Sequence, residues 1–174
     1  MIITSKEKAI EKILEQEIVA LFQDSSEYGP RALGNRSLLF DPRNKDGKDI
    51  VNTIKKREWY RPFAGTVLLE HANDWFEMGR IKESAYMSYA IPVKEEKKEI
   101  IPCITHVDGT CRIQTLTREQ NKNYYDLIEL FFKKTNVPIL FNTSFNLAGE
   151  ALVETQEDAL DTLERSNINY LYLP

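Results

Sequence analysis

The chain is poor in the residues that build metal centres and disulfide frameworks, with two cysteines, Cys103 and Cys111, and two histidines, His71 and His106. No Cys/His grouping has the spacing of a structural zinc site, so no protein-built metal centre is expected. The cysteines flank the turn His106-Val107-Asp108-Gly109-Thr110. If the flanking segments pair as a hairpin the thiols lie close, but without an export signal both are read as reduced, partly buried thiols. No run of eighteen apolar residues occurs, and MIITSKEKAIEK at the N-terminus lacks the apolar core of a secretory leader. The expectation is therefore no membrane span and a cytoplasmic protein. A basic excess is lacking too: 23 Lys and Arg face 27 Asp and Glu, a net charge of −4. That argues against nucleic acid as a partner, because a duplex or long strand needs positive potential over a large face. There is no internal repeat, low-complexity tract or linker, and the length suits one domain spanning 1–174.

What positive charge there is falls in one place. Tyr28 to Phe63 holds nine Lys or Arg against four acidic residues, a local balance of +5, so the rest of the chain carries −9. A cationic island in an anionic chain suits a small, highly charged anion, and phosphate is the natural candidate. Arg31, Arg36, Arg43, Arg57 and Arg61 outnumber Lys45, Lys48, Lys55 and Lys56 there, and a planar guanidinium grips phosphate oxygens two at a time. Gly29-Pro30 and Gly34-Asn35 are turn signals that would fix the positions from which Arg31 and Arg36 project. Trp59, Tyr60 and Phe63, close to Arg57 and Arg61, are placed to wall a pocket or stack on a flat ligand. Each arginine taken singly also suits a surface ion pair.

The remaining pattern is strands interleaved with helices. Ser5 caps an amphipathic helix over Lys6 to Glu15; Ile18 to Phe22 and Ser37 to Phe40 are short apolar strands; Lys48 to Arg57 has helical spacing, which puts Lys55, Lys56 and Arg57 in a last turn. Strands are expected at Ala64 to Leu69 and Tyr86 to Val93, a short helix at His71 to Phe76, and a solvated loop at Lys94 to Glu99. The Asp108-Gly109 turn opens a strand in which Arg112 shares a polar face with Thr110 and Gln114, a second wall for the anion pocket. Thr117 to Gln120 has capping-box form ahead of a long helix with Tyr124, Leu127, Ile128 and Phe131 on one stripe. Pro138 to Phe141 reads as a strand running into the polar Asn142-Thr143-Ser144-Phe145-Asn146, placed at the carboxyl end of a parallel strand where ligands bind; the same residues also suit turn capping. Thr155 caps a helix, and Ile168 to Leu173 ends the chain as a strand. The fold class is α/β: a single domain with a twisted mixed sheet and flanking helices.

Taken together, Gly29 to Ser37, Lys55 to Ala64, His106 to Thr110 with Arg112 and Gln114, and Asn142 to Asn146 with Gly149-Glu150 resemble the C-terminal domain of the O-carbamoyltransferases, which include nodulation and antibiotic carbamoyltransferases. The resemblance covers essentially the whole chain. It implies a fold similar to the threonylcarbamoyl-AMP synthases, and a domain that joins carbamoyl phosphate and ATP, with magnesium, into carbamoyl adenylate. A separate N-terminal domain of actin-like ATPase type, in cis or in trans, would then pass the carbamoyl group to a hydroxyl acceptor. By the same resemblance Lys55, Arg57 and Arg61 are the phosphate-gripping basic motif, Arg112 is the strand arginine facing it, Asn142 and Ser144 form the polar loop that closes the site, and Arg31 and Arg36 belong to the first motif and bind substrate. Gly65 and Ala151 stand where the family frequently has proline. A nucleotide- or RNA-binding module without catalysis and a non-catalytic structural partner are the rival readings.

Overall fold

A computed structural model describes all 174 residues. Eight strands form one mixed sheet: β1 (Ile2–Ile3), β2 (Val19–Phe22), β3 (Arg36–Phe40), β4 (Ala64–Leu68), β5 (Tyr89–Pro92), β6 (Thr110–Leu116), β7 (Ile139–Ser144) and β8 (Tyr170–Tyr172). Their order is β1-β8-β2-β3-β7-β4-β6-β5. β8 runs parallel to β1 and β2, and β4 parallel to β6, while β7 is antiparallel to both its neighbours, β3 and β4. Five helices connect them: α1 (Lys6–Leu14), α2 (Gly47–Ile54), α3 (Ala72–Trp75), α4 (Lys122–Thr135) and α5 (Gln156–Glu164). No helix is long and apolar enough to cross a membrane.

The continuous apolar runs become central strands: Val19 to Leu21 and Leu38 to Phe40 are fully buried, as strands covered on both faces must be. α1 and α4 pack on one another, the first also against β2 and β8 and the second against β4 and β7. Their buried stripes, Ala9, Ile10 and Ile13 on α1 and Tyr124, Leu127, Ile128 and Phe131 on α4, enter one continuous core. Ser5 caps α1 through its hydroxyl, and Thr155 with Asp158 closes a reciprocal capping box on α5.

Several boundaries differ from expectation for identifiable reasons. Thr117 and Gln120 do exchange hydrogen bonds, but they close a turn, and α4 starts only after Asn121, whose side chain accepts from the Tyr124 amide. β5 begins at Tyr89 because Met87 adopts a left-handed backbone, φ +53°. β1 is two residues long, too short to leave a pattern. Cys103 lies outside any strand, so no hairpin joins it to Cys111; both thiols are free and buried. Burial pushes the Cys111 thiol up to about 12. Gly65, inside β4, has no room for a side chain: a Cβ there would stand 2.6 Å from Ile104 Cδ1.

α2 ends at Ile54, three residues before the expected Arg57. Lys56 takes a left-handed backbone, φ +54°, its amide donates to the Thr53 carbonyl, and the Arg57 amide reaches back to Asn52 at 3.1 Å. This is a Schellman closure with lysine where glycine is usual. Placing a side chain in that conformation costs on the order of 1 kcal/mol, and the reversal sends Arg57 away from the helix axis.

Candidate active site

A cavity of about 320 Å³ opens where the sheet row Arg112–Ala64–Asn142 meets two loops. One loop, ahead of β3, contributes Pro30, Arg31 and Ala32; the other, between α2 and β4, contributes Arg57, Arg61, Pro62 and Phe63. β6 supplies Arg112, and β7 supplies Asn142, Thr143 and Ser144.

Four guanidiniums therefore face one space. Only Arg61 has a carboxylate partner, Glu58 at 2.7 Å, and that pair is about half exposed. Arg57 is held from behind: its Nε donates to Asn52 Oδ1 at 2.6 Å and its guanidinium carbon lies 4.1 Å from the centre of the Phe63 ring. Burial, with Arg61 and Arg112 nearby, pushes the Arg57 pKa down to about 10. Arg112 is lowered as well, by burial first and then by Arg31. Both remain cations near neutral pH, under mutual repulsion that an anion would relieve. Arg57 Nη2, Arg112 Nε and Asn142 Oδ1 are buried without a partner in the protein, a costly condition that polar sites reserve for ligands or ordered solvent.

Position is imposed by an amide network whose members Gln114 and Asn142 are visible in the sequence but whose connections are not. Thr66 donates to Gln114 Oε1 at 2.9 Å, and Gln114 Nε2 donates to the Leu33 carbonyl at 2.9 Å. Asn142 Nδ2 reaches Thr66 Oγ1 at 3.0 Å and the Ala32 carbonyl at 3.2 Å. The loop carrying Arg31 is thus fastened to the sheet. It is held again by Glu27, whose Oε1 accepts from the Leu33, Asn35 and Arg36 amides. Gly34, φ +111°, lies against the Tyr124 ring so closely that a Cβ would meet it at 2.2 Å. On the other loop, Asn52 Nδ2 donates to the Trp59 and Arg61 carbonyls. Asn52 had a signal: a buried asparagine beside Val51 in a helix of apolar spacing.

Of the eight residues singled out from sequence, Arg31, Arg57, Arg61, Arg112, Asn142 and Ser144 line the cavity, and Arg36 and Lys55 do not. Arg36 is the first residue of β3 and is 3% exposed. Its guanidinium donates to the Gln23, Asn35, Asp24 and Glu154 carbonyls and stacks 3.6 Å from the Phe22 ring centre, which ties loops together and leaves it no reach into the cavity. Lys55 is buried behind the wall, its Nζ facing the Ser144 carbonyl at 2.5 Å, Asn146 Oδ1 at 3.0 Å and Ser144 Oγ at 3.3 Å. Burial and Arg57 push its pKa down to about 7. Asn142 and Ser144 belong to β7 itself, not to a loop, and β7 is antiparallel, so the crevice of a parallel strand end is not what places them. Arg43 pairs with buried Asp41 and stays out of the site.

No group of three or more His, Cys, Asp and Glu side chains is gathered anywhere in the structure. With arginines and amides as its lining, the cavity suits magnesium only as a companion of bound phosphates.

The model of the family described as carbamoyltransferase C-terminus matches residues 10–174. The nodulation protein NolNO of Sinorhizobium fredii is 46% identical over 166 residues, which are 94% of this chain and 24% of that protein. The 3'-hydroxymethylcephem-O-carbamoyltransferase of Streptomyces clavuligerus is 37% identical over 141 residues, 81% of this chain and 26% of the relative. The chain thus spans about a quarter of the length of these relatives. Among solved structures, Pyrococcus abyssi Sua5 in complex with L-threonine superposes with a TM-score of 0.71 at 15% identity, over 99% of this chain and 49% of that one. Full-length HypF in its phosphate- and nucleotide-bound form gives 0.68 at 18% identity, over 99% of this chain and 25% of that one. These likenesses establish the fold, the one expected of the threonylcarbamoyl-AMP synthases.

Proposed function

The chain belongs to the carbamoyltransferase C-terminus family, and from that premise we propose that it is the domain that binds carbamoyl phosphate and ATP and forms carbamoyl adenylate. The observation that carries this reading is the set of four guanidiniums on one cavity with a single, exposed carboxylate among them. Carbamoyl phosphate gives up inorganic phosphate to water and leaves carbamate. A carbamate oxygen then attacks the α-phosphorus of ATP and expels pyrophosphate. Charge gathers on phosphoryl oxygens throughout, and prepositioned guanidiniums stabilise it without a protein nucleophile. Arg57 and Arg112, both desolvated, are assigned to the phosphoryl oxygens in the transition state, and Arg31 and Arg61, at the rim, to capture of the incoming anions. Asn142 and Ser144 orient the small carbamoyl group with hydrogen bonds. Lys55 acts from behind, fixing Ser144 and Asn146.

Transfer to a hydroxyl acceptor is assigned to an N-terminal domain of actin-like ATPase type, consistent with relatives about four times as long. The test is incubation with carbamoyl phosphate, ATP and magnesium, followed by assay of pyrophosphate. Release dependent on carbamoyl phosphate is expected. Neither release nor nucleotide binding would reject the reading.

A further inference from the structure

The turn His106–Thr110 lies outside the cation cavity, yet it touches the wall that carries two of its arginines. We infer that His106 is a positioning residue for the anion site, holding the Arg57–Phe63 wall in register with the strand that carries Arg112. His106 Nε2 lies 2.8 Å from the Phe63 carbonyl. That carbonyl immediately precedes β4, and its hydrogen-bond donor is this ring and not a strand amide. Since a carbonyl only accepts, Nε2 carries the hydrogen whichever way the Thr110 hydroxyl, 3.2 Å from Nδ1, is turned.

The ring is itself tightly held. The His106 amide donates to the Thr110 carbonyl at 2.7 Å, and Gly109, φ +78°, returns its amide to the His106 carbonyl at 2.9 Å. Asp108 Oδ1 accepts from both the amide and the hydroxyl of Thr110, at 2.9 and 2.7 Å. Thr110 begins β6, two residues before Arg112. One short turn therefore anchors the Arg112 strand at one end and reaches across to Phe63 at the other. Phe63 is the platform under Arg57, at 4.1 Å, and its ring packs 4.5 Å from Phe141. Its neighbour Pro62 joins Arg61 in the cavity lining. Asn52 holds the same loop from the α2 side through the Trp59 and Arg61 carbonyls; His106 holds the end that Asn52 does not reach.

This inference rests on the cavity being an anion site, and its test uses inorganic pyrophosphate as the probe, so it is separate from the chemistry proposed above. Glutamine can present its Nε2 to the Phe63 carbonyl as the histidine does, whereas asparagine is too short and alanine has no donor. Pyrophosphate affinity is measured by calorimetry on the wild-type chain, His106→Gln, His106→Asn and His106→Ala, with melting temperature read alongside. Alanine and asparagine are expected to weaken binding by roughly tenfold, the equivalent of one lost hydrogen bond of about 1.4 kcal/mol. Glutamine should stay near wild type. If alanine lowers only the melting temperature and leaves the affinity alone, or if glutamine binds as weakly as asparagine, the positioning role is overturned. Should the alanine variant fail to fold, the glutamine and asparagine pair decides. A wild-type chain that binds pyrophosphate but makes no adenylate would count against the proposed reaction while leaving His106 testable.

Discussion

Two clusters of cations on this chain are balanced in opposite ways. At the start of α4, Asp126, 11% exposed, collects Lys6 at 3.0 Å, Lys122 at 2.8 Å and Arg118 at 2.8 Å. There the positive charges are gathered by a largely shielded carboxylate of the protein's own, and each cation has its counter-charge within 3.0 Å. In the cavity, Arg31, Arg57 and Arg112 have no such partner, and the groups that fix them are amides, an aromatic ring and backbone carbonyls. Neutral scaffolding around unpaired guanidiniums leaves their charge available to a ligand. The same residue types therefore serve stability in one region and recognition in the other, and the partner tells them apart.

The largest expected effect breaks that comparison directly. Arg57→Ala should weaken ATP and pyrophosphate binding by about 2 kcal/mol, roughly thirtyfold, because a desolvated cation is lost. Its effect on unfolding should be small, since relief of repulsion offsets lost packing on Phe63. Arg118→Ala should do the reverse, leaving anion titrations unchanged and costing no more than about 1 kcal/mol of stability in urea, as expected for a half-exposed pair.

Next in size, Asp126→Asn should destabilise the fold by about 1–3 kcal/mol, because three cations lose their counter-charge and one oxygen acceptor becomes a donor, with no change in pyrophosphate affinity. Burial raises the Asp126 pKa, but hydrogen bonds and charges from Lys122, Lys6 and Arg118 outweigh it, and the net shift is downward. Its contribution is therefore full above the unfolded carboxylate pKa and lost as pH falls through the lower folded value. Acid titration of stability in the wild type and the variant checks this.

The cavity side responds to pH in the same direction but in a higher window, between the folded and unfolded values of a buried lysine. Lys55 has its pKa pushed down to about 7 in the folded chain, against about 10.4 unfolded. The folded state binds fewer protons between those values, so stability should rise with pH from about 7 towards 10. In Lys55→Met that slope should disappear, and urea midpoints measured across this window decide the matter.

Much of the fold is legible because its signals are local. The apolar runs at Val19 to Leu21 and Leu38 to Phe40, and the caps at Ser5 and Thr155, each need only a few neighbouring residues to declare themselves. The candidate site is legible as a concentration of arginines, and six of the eight chosen residues do converge. What composition does not carry is direction. Arg36 points into a nest of carbonyls because β3 starts one residue earlier than its apolar run suggests. Lys55 turns behind the wall because the helix closes on a left-handed lysine that no glycine announced. Asn142 reads as a loop residue because its polarity outweighs its register, yet it pairs with Ala64 and Leu39 inside the sheet. Gln114 shows in the sequence only as a polar neighbour of Arg112, and Asn52 only as a lone asparagine in a helix of apolar spacing; what each holds is known from its partners.

The most direct measurement is a calorimetric titration of the chain with ATP and with pyrophosphate at two ionic strengths, repeated on the Arg57→Ala, Arg112→Ala double variant. The expected result is one saturable site in the wild type, a shallow salt dependence typical of a small anion, and loss of most of the affinity in the variant. Equal binding in both proteins, or a steep salt slope with RNA as the preferred ligand, would contradict a cavity built from unpaired guanidiniums for a compact phosphate anion.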